Sequence, residues 1–414
     1  MNKADFYRDA RQDLPGPLAG LRVLEACTTW AGPMCTSLLA DMGADVIKTE
    51  LPEGEVIRSM PPFLPDAEPP LPIPHATLNR NKRSLSLNLR TPDGREIFLK
   101  IAARVDIVVQ NFRPGTMDKW GVGYEAVRSV KPDIIYVSIS GFGQFGPEHD
   151  RAGYDTLAQA LSGFMALNGE PNGGPVRAAT ALGDDLAGLH AALSALAAVY
   201  HHRQTGEGQH IDVSLLDSVL FQSNGFLTLG ALGIPNPRLG NESPFAFPAN
   251  VYACNDGHIR VAVVLDSHWK VLVRLLNRPE LADDPEYAAL SKRMNHREEV
   301  NAMIAVWCAA RSSAEAIAQC LKAGLAVAPI RTYEQAARDP HILARDMLQD
   351  TPQANGVTIP ITGPAAKFSR TPTRVRSGAP VVGAHDEEIL QDLGLTAADI
   401  AQLRQKGVLV RKPQ

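Results

Sequence analysis

Two adjacent aspartates, Asp184 and Asp185, stand at the start of a long apolar stretch in this 414-residue chain and follow Gly183. A carboxylate at a helix start is stabilised by the helix dipole and by backbone N–H groups that lack partners. Asp184 is therefore either an N-cap that completes the helix or a carboxylate nucleophile. For a nucleophile, glycines on both sides (Gly183 and Gly188) would let a substrate approach, and helix N–H groups would stabilise an oxyanion. The local motif alone favours the N-cap.

A second motif, G-x-G-x-x-G, occupies residues 141–146 directly after a predicted strand. The dinucleotide-binding fingerprint requires a helix to begin inside the motif, so that its N-terminus faces the pyrophosphate. Here Pro147 and a polar loop follow instead, up to Gly153. The sequence therefore favours a flexible glycine loop over a nicotinamide or flavin site. The carboxyl end of a parallel strand is nevertheless a common place for other ligands.

Basic residues cluster near the ends of two other predicted strands. Residues 79–83 (NRNKR) precede a strand, Arg90 follows the same strand, and residues 111–115 (NFRPG) follow the next. Such charges are usually part of a solvated surface. Because they stand at the ends of strands in one sheet, where anionic ligands bind, the functional alternative is a phosphate-binding site.

Other chemistries lack their sequence motifs. The sequence contains no H-E-x-x-H, no G-x-S-x-G and no G-x-x-x-x-G-K-[ST]. His201-His202 has no acidic partner at ligand spacing, so we expect no metal site. The five cysteines are scattered and include no C-x-x-C pair. They predict reduced thiols in a cytoplasmic protein rather than a disulfide framework.

The composition is typical of a soluble globular protein, with 21% charged and 45% hydrophobic residues and a net charge of −4. That balance predicts neither a nucleic-acid nor an anionic-membrane partner. Residues 1–20 lack the apolar core of a signal peptide. The most apolar helical stretch, 189–200, is too short to span a bilayer.

The elements that would position these residues alternate in the first half of the chain. Short β-branched runs are separated by helical patterns, which predicts an α/β fold with a parallel sheet covered on both faces. The predicted strands are 21–25, 45–50, 84–89, 105–111, 133–140 and 209–215, and the predicted helices include 32–42, one that opens at Thr91, 154–168 and 185–203.

After about residue 222 the alternation of strand and helix patterns stops, which indicates a domain boundary. Prolines punctuate a loop there, and Asn255-Asp256-Gly257 between two apolar runs is a hairpin signal. The predicted domains are the first part of a large domain (1–222), a small α+β domain with its linkers (223–328) and a C-terminal part that rejoins the large domain (329–414).

Many short motifs follow one another along nearly the whole chain after about residue 17. They are LAGLRVL (18–24), AGP (31–33), GADVIK (43–48), NKRS (81–84), NFRPG (111–115), GFGQFGP (141–147), GD (183–184), TGEGQ (205–209) and GAH (383–385). Together and in this order, they resemble the family III CoA-transferases, the group that contains formyl-CoA and carnitine CoA-transferases.

The resemblance implies a Rossmann-like large domain built from both ends of the chain, a smaller inserted domain and an interlocked homodimer. It also implies that Asp184 is the catalytic aspartate, which carries CoA as an aspartyl-CoA thioester between two mixed anhydrides. Acyl-CoA and a free carboxylic acid are then the substrates, and no metal or permanently bound cofactor is needed.

Further residues take implied functions from the same resemblance. Trp30, Tyr154, Asp155 and Gly183 are implied to lie beside the nucleophile. An acidic Asp155 close to Asp184 would raise the pKa of one carboxyl.

The resemblance also implies a CoA-binding set. Arg90 and Lys119 would meet phosphates, and Phe112 would pack on the adenine or the pantetheine. The full set is Leu87, Arg90, Asn111, Phe112, Arg113 and Lys119.

Some positions depart from the formyl-CoA enzymes of this family. Thr28 and Trp30 replace a histidine and a glutamine, Leu51 replaces an arginine, and residues 241–250 lack a clear glycine-rich loop. These departures argue against formyl and oxalate substrates, and the bulky Trp30 favours a larger or less polar acid. Small dicarboxylates, carnitine-like acids and aromatic acids stay open, and the candidates to receive a second carboxylate are Arg58, Arg113 and Arg177.

The nearest rival interpretation is an acyl-CoA racemase of the same superfamily, which uses a histidine and an aspartate to move an α-proton. Where those enzymes have Gly-His-Asp, this chain has Gly153-Tyr154-Asp155. Tyrosine, with an ordinary pKa of about 10, is a poor base near neutral pH, which favours transfer. A non-catalytic acyl-CoA-binding protein and a dinucleotide oxidoreductase are the remaining alternatives.

Overall fold

The structure is a computed structural model that describes residues 1–409, and it contains two compact units. The first comprises Met1–Phe164, Ala178–Leu227 and the chain from Pro340 onward. The second comprises Met165–Arg177 and Thr228–Asp339. The predicted bounds differ from these units in three places. Residues 165–177 and 329–339 belong to the second unit instead of the large domain, and residues 223–227 belong to the first unit instead of the small domain.

The strands are β1 (Arg22–Ala26), β2 (Asp45–Glu50), β3 (Arg83–Ser86), β4 (Ile107–Gln110), β5 (Ile135–Ser140), β6 (Gln209–Ser214), β7 (Ala249–Cys254), β8 (Gly257–Ala262), β9 (Ala326–Pro329), β10 (Leu348–Pro352) and β11 (Thr358–Thr362). The helices are α1 (Lys3–Phe6), α2 (Ala31–Asp41), α3 (Ile73–Leu78), α4 (Pro92–Ala102), α5 (Thr116–Lys119), α6 (Tyr124–Val130), α7 (Asp155–Leu161), α8 (Phe164–Leu167), α9 (Leu182–Thr205), α10 (Leu215–Phe221), α11 (Phe226–Ala231), α12 (Asp266–Leu275), α13 (Leu290–Arg293), α14 (Arg297–Ala309), α15 (Ser313–Lys322), α16 (Tyr333–Ala337), α17 (Pro340–Ala344), α18 (Asp386–Asp392) and α19 (Ala397–Gln405).

Six parallel strands form the main sheet of the first unit in the order β3-β2-β1-β4-β5-β6. The register pairs Val23 of β1 with Val46 on one side and Ile107 on the other. Because the strand order reverses between β1 and β4, the loops that follow these strands diverge and leave a crevice at the carboxyl edge. The predicted parallel α/β sheet is confirmed, and the crevice is where ligands bind in such sheets.

Both faces of this sheet are covered. On one face, Val23 packs with Leu39 of α2 and Ala191 of α9. On the other, Leu24 packs in a core that includes Leu390 of α18. Neighbouring residues of β1 point to opposite faces because side chains alternate along a strand. Since α18 comes from the C-terminal part of the chain, that part rejoins the large unit, as the sequence pattern and the resemblance indicate.

Helix α9 has 24 residues and is long and apolar enough to cross a membrane by those two criteria alone. It extends well beyond the predicted apolar stretch 189–200. An added Cβ at Gly188 would lie 2.8 Å from Met34 Cγ and 2.9 Å from the carbonyl oxygen of Ala31, both in α2. Gly188 therefore permits close packing of α9 on α2. This function differs from the one that the sequence suggests, which is to let a substrate approach.

Two helix predictions are wrong in their bounds. The predicted helix 154–168 is split into α7 and α8 at Gly163, whose φ of +85° ends a helix. Helix α9 begins at Leu182, so its N-cap position is Ala181 and Asp184 is its third residue. The N-cap interpretation of Asp184 is therefore wrong. The hairpin β10–β11 is absent from the sequence prediction.

The second unit contains a three-stranded antiparallel sheet in the order β7-β8-β9. The turn between β7 and β8 falls at the predicted Asn255-Asp256-Gly257. Trp269 of α12 and Ile304 of α14 are buried with Ile259 of β8 in one core. This unit matches the predicted small α+β domain in its class.

Candidate active site

The candidate site lies at the carboxyl edge of the main sheet, where the strand order reverses. The loop after β1 and the loop after β4 begin there, and α9 starts at the same edge because it runs back to the beginning of β6. Asn111, after β4, contacts Thr28, after β1. Trp30 in turn contacts Asp185 near the start of α9. The site therefore joins three elements that are far apart in sequence.

Asp184 stands in the first turn of α9, and its side chain is half-buried. Burial raises the pKa of this carboxyl to about 7, and the nearby charges of Asp155 and Asp185 act in the same direction. Among residues 1–409, none donates a hydrogen bond to the Asp184 carboxyl. A carboxylate without a protein partner is available to react with a ligand.

Asp155 takes the place of an N-cap for α9. Its Oδ1 accepts a hydrogen bond from the Gly183 backbone N–H at 2.6 Å, and its Oδ2 accepts one from Gln159 Nε2 at 2.8 Å. Gln159 Oε1 in turn accepts from the Ala178 backbone N–H at 2.8 Å. An added Cβ at Gly183 would lie 3.2 Å from Asp155 Oδ1 and 3.3 Å from Val219, so the glycine admits this contact. Asp155 thus anchors the backbone that precedes Asp184.

Asp185 is a site residue to which neither the sequence motifs nor the resemblance assigns a function. Its Oδ1 accepts a hydrogen bond from the Trp30 indole N–H at 2.7 Å. Burial raises the pKa of Asp185, whereas the indole N–H lowers it. Trp30 and Asp155 therefore both lie at the start of α9, where each contacts a neighbour of Asp184 rather than Asp184 itself.

Tyr154 lies just outside this arrangement. It is the N-cap residue of α7 without a side-chain capping bond, and 70% of it is exposed. The backbone carbonyl of Tyr154 accepts from Leu157 and Ala158, which fixes the start of α7 and hence the position of Asp155.

Three of the implied CoA-binding residues lie around the aromatic side chain of Trp120, which is not among the predicted site residues. The ring of Phe112 lies 4.9 Å from that of Trp120 in an edge-on arrangement. The guanidinium of Arg90 lies 5.9 Å from the Trp120 ring centroid. Exposed Lys119 directly precedes Trp120 at the end of α5. The only signal in the sequence for Trp120 is its position beside Lys119.

The other members of the implied CoA-binding set have different surroundings. Leu87 is fully buried in the core on one face of the sheet, so neither its side chain nor its backbone is exposed to a ligand. Asn111 is occupied by Thr28: its Oδ1 accepts from the Thr28 N–H and its Nδ2 donates to the Thr28 carbonyl, both at 2.8 Å. Arg113 donates to the carbonyl of Asp150 at 2.6 Å.

The glycine loop 141–146 is followed by turns rather than by a helix, as Pro147 and the polar residues after it predict. An added Cβ at Gly141 would lie 2.5 Å from the Cα of Gly153, so the two ends of the loop are in close contact. The N–H of Gln144 donates to Asp212 Oδ2 at 2.8 Å. The loop is therefore tied at its base beside the end of β5.

Arg58 is not free to receive a substrate carboxylate. Its Nε and Nη2 donate to the two carboxylate oxygens of Glu50 at 2.7 and 2.5 Å, and both Nη atoms donate to the carbonyl of Pro380 at 3.1 Å. Within the described part of the chain, no group of three or more His, Cys, Asp and Glu side chains is arranged to hold a metal ion.

Comparison with known proteins adds a family relationship. Residues 18–386 match CoA-transferase family III. The sequence is 38% identical to the succinyl-CoA:mesaconate CoA-transferase of Haloarcula marismortui, over 92% of this chain and 97% of that protein. It is 37% identical to the succinate–glutarate CoA-transferase of Agrobacterium fabrum, again over 92% of this chain and 97% of the relative. A CAIB/BAIF family protein from Brucella suis has a similar solved structure, with a TM-score of 0.82, 34% identity and coverage of 92% of this chain and 100% of that chain.

Proposed function

The chain belongs to CoA-transferase family III and is a CoA-transferase that moves CoA from an acyl-CoA to a free carboxylic acid, and from that premise we propose that Asp184 carries the CoA. The observation that supports Asp184 is its half-buried carboxyl in the first turn of α9, to which no residue among 1–409 donates a hydrogen bond. Asp155 and Asp185 each have a partner. Asp184 is therefore the carboxyl of the three that is open to attack an acyl-CoA.

The proposed reaction proceeds by four acyl transfers. The Asp184 carboxylate attacks the thioester carbonyl of the donor, which gives a mixed anhydride and the CoA thiolate. The thiolate attacks the Asp184 carbonyl of the anhydride, which gives an aspartyl-CoA thioester and releases the donor acid. The acceptor carboxylate attacks that thioester and expels the thiolate. The thiolate then attacks the acceptor carbonyl, which gives the new acyl-CoA and restores the Asp184 carboxylate.

The surroundings of Asp184 suit this sequence. The backbone N–H groups of the first turn of α9 lack intrahelical partners, and those not taken by Asp155 can stabilise an oxyanion at the reacting carbonyl. Burial raises the free energy of the ionised Asp184, which makes the carboxylate a stronger nucleophile than one in water. Tyr154, in place of the racemase histidine, supports transfer over proton abstraction.

CoA is proposed to lie along the carboxyl edge toward Trp120. Arg90 and Lys119 supply positive charge for its phosphates, and Phe112 with Trp120 supplies an aromatic surface for its apolar parts. Under this proposal acyl-CoA is a substrate, and the chain needs no resident cofactor. Cys27 and Cys35 are free and buried, which supports the proposal of a cytoplasmic protein.

The acceptor is proposed to be a small dicarboxylic acid with succinyl-CoA as donor, because the two named relatives act on mesaconate and on succinate and glutarate. Two of the candidate receptors for a second carboxylate already have partners within the chain. Arg58 donates to the carboxylate of Glu50, and Arg113 donates to the backbone carbonyl of Asp150. A substrate carboxylate bound by either of these arginines would replace one of these bonds.

Trapping with hydroxylamine tests the proposed nucleophile. Wild-type protein incubated with succinyl-CoA and then with hydroxylamine should yield a hydroxamate at Asp184, located by peptide mass spectrometry. Asp184→Asn should yield none and lose at least about 10³-fold in transfer rate. Asp217→Asn removes an exposed aspartate of α10 and serves as the matched control with full labelling. A hydroxamate on another residue, or undiminished transfer by Asp184→Asn, would exclude Asp184 as the nucleophile.

A further inference from the structure

We propose that Trp30 and Asp185 form a positioning pair for the nucleophile, in which the Trp30 indole fixes Asp185 as a second negative charge beside Asp184 and so sets the pH range in which Asp184 attacks. The inference rests on the proposed function, since it gives a purpose to a second carboxylate next to the one that carries CoA. In this arrangement Trp30 and Asp185 act through Asp184 and need not touch the substrate.

The contact that carries the inference joins Trp30 Nε1 to Asp185 Oδ1 at 2.7 Å. An indole N–H can only donate, so the contact favours Asp185 in its ionised, accepting form. Burial alone would favour the neutral form of Asp185. The hydrogen bond therefore opposes the effect of burial and favours the negative charge on Asp185.

The turn that presents Trp30 is strained and clamped. Thr29, the preceding residue, has a φ of +66°, a left-handed conformation that a β-branched side chain rarely adopts. Asn111 makes two hydrogen bonds to the backbone of Thr28, each of 2.8 Å. Glu55 Oε2 accepts from the Thr29 N–H at 2.9 Å. Strain of this kind persists only where neighbouring groups hold it, and here two side chains do so immediately before Trp30.

The Glu55 clamp belongs to a buried ionic cluster of Glu25, Lys48, Glu55 and Lys82. Lys48 Nζ lies 2.8 Å from Glu25 and 3.0 Å from Glu55, and Lys82 Nζ lies 2.9 Å from Glu25. All four side chains are at most 4% exposed, and two positive charges balance two negative ones. Lys48 also donates to the carbonyl of Cys27 at 3.1 Å, at the start of the turn. The cluster therefore holds both the Glu55 carboxylate and the Cys27 carbonyl, which fixes the turn that precedes Trp30 at two points.

The electrostatic effect of the pair follows from the charges around Asp184. Within residues 1–409, the charged groups that act on it are Asp185 on its own helix and Asp155 from α7. The turn before α2 contributes the neutral indole of Trp30. The charge of Asp217 of α10 raises the pKa of Asp212 and is not among the charges that shift the pKa of Asp184. A negative charge on Asp155 or on Asp185 raises the pKa of Asp184 beyond the effect of burial. Removing the charge of Asp185 must therefore ease the ionisation of Asp184.

The test measures the rate at which hydroxylamine-trappable adduct forms from succinyl-CoA in a single turnover, from about pH 5 to about pH 9. Asp185→Asn keeps the shape of the side chain and an oxygen that can accept from Trp30. It should move the acid limb of the rate profile to lower pH by about one unit. Trp30→Phe, which removes only the donor among polar groups, should move the limb in the same direction. Asp217→Asn matches the change in net charge and should leave the limb in place.

The possible outcomes separate this inference from the proposed function. If wild-type protein forms no Asp184 adduct, the proposed function fails. If the adduct forms but Asp185→Asn leaves the limb unmoved, or lowers the rate equally at every pH, the pair has only a structural purpose and the inference is overturned. Circular dichroism establishes that each variant folds, and Asp185→Asn decides the matter even where Trp30→Phe does not fold.

Discussion

A carboxylate can attack an acyl-CoA only when it is ionised, and three aspartates of this site differ in what favours that state. Asp155 accepts hydrogen bonds from Gly183 and Gln159, and Asp185 accepts one from Trp30. Asp184 accepts none from residues 1–409, and burial raises its pKa to about 7. The residue proposed to react is thus the one whose ionised form the folded chain stabilises least.

This imbalance predicts an effect of Asp184 on stability. Unfolding returns the carboxyl to water, where its pKa is about 3.9. Because the folded pKa is higher, the stabilising contribution of the protonated group is complete below about pH 4 and is lost as the pH rises through about 7. Asp184→Asn should therefore raise the free energy of unfolding at about pH 8 by about 1 to 3 kcal/mol, after allowance for solvent screening, and change it little at about pH 4.

Urea denaturation at the two pH values measures this effect. Asp217→Asn, in which an exposed aspartate is replaced, should show no comparable gain at the higher pH. If Asp184→Asn is no more stable than wild type at about pH 8, then the ionised Asp184 carboxylate does not destabilise the folded chain and this prediction is wrong.

At the scale of elements, the position of the site depends on how α9 packs on α2. Gly188 of α9 leaves room for Met34 and for the carbonyl of Ala31, the residue that follows Trp30. The distance between these helices therefore sets the distance from the Trp30 indole to Asp185. Small residues at the contact are what allow two helices to approach so closely.

Replacing Gly188 by alanine should disturb both stability and activity. The added Cβ would lie 2.9 Å from the Ala31 carbonyl oxygen, a backbone atom that can move only with α2. We expect a loss of about 1 to 3 kcal/mol in the free energy of unfolding. We also expect a lower kcat, because a displacement of Ala31 also displaces Trp30, the residue before it. Gly230 in α11 has no neighbour within 4 Å of its added Cβ. Gly230→Ala should be neutral or stabilising by up to about 1 kcal/mol, and equal behaviour of the two variants would refute this packing argument.

For the whole molecule, the sequence predicts helices and strands that depend on neighbouring residues, but it does not predict contacts between residues far apart in the chain. Strand β2 is predicted to the residue as 45–50 because its apolar run is bounded by turn residues. The start of α9 is misplaced because its cap is supplied by Asp155, 28 residues before the Gly183 N–H that it receives. The contact of Trp30 with Asp185 spans 155 positions, and no spacing rule reaches so far. The resemblance named Trp30 and Asp155 without indicating the atoms they contact.

The exposed surface of α9 bears on assembly at the same scale. Leu189, Leu193 and Tyr200 are 48%, 66% and 70% exposed, and their spacing of four and seven places them on one face of the helix. Phe221 of α10, 75% exposed, continues the patch through its ring contact with His190 at 5.1 Å. A contiguous apolar surface of this kind is typical of a protein–protein interface. It supports the homodimer that the family resemblance implies and that we propose here.

Leu193→Asp tests whether a second copy of the chain covers this face. A charge buried in an apolar interface lacks a partner, so the substitution should weaken self-association by at least about tenfold in Kd. Light scattering coupled to size-exclusion chromatography should give a dimer mass for wild type and a shift toward monomer mass for the variant at equal concentration. Val130→Asp, at an exposed aliphatic position that ends α6, should keep the dimer mass. A wild-type monomer, or a Leu193→Asp dimer as tight as wild type, would show that another surface carries the association or that none does; the apolar face of α9 would then need a different partner.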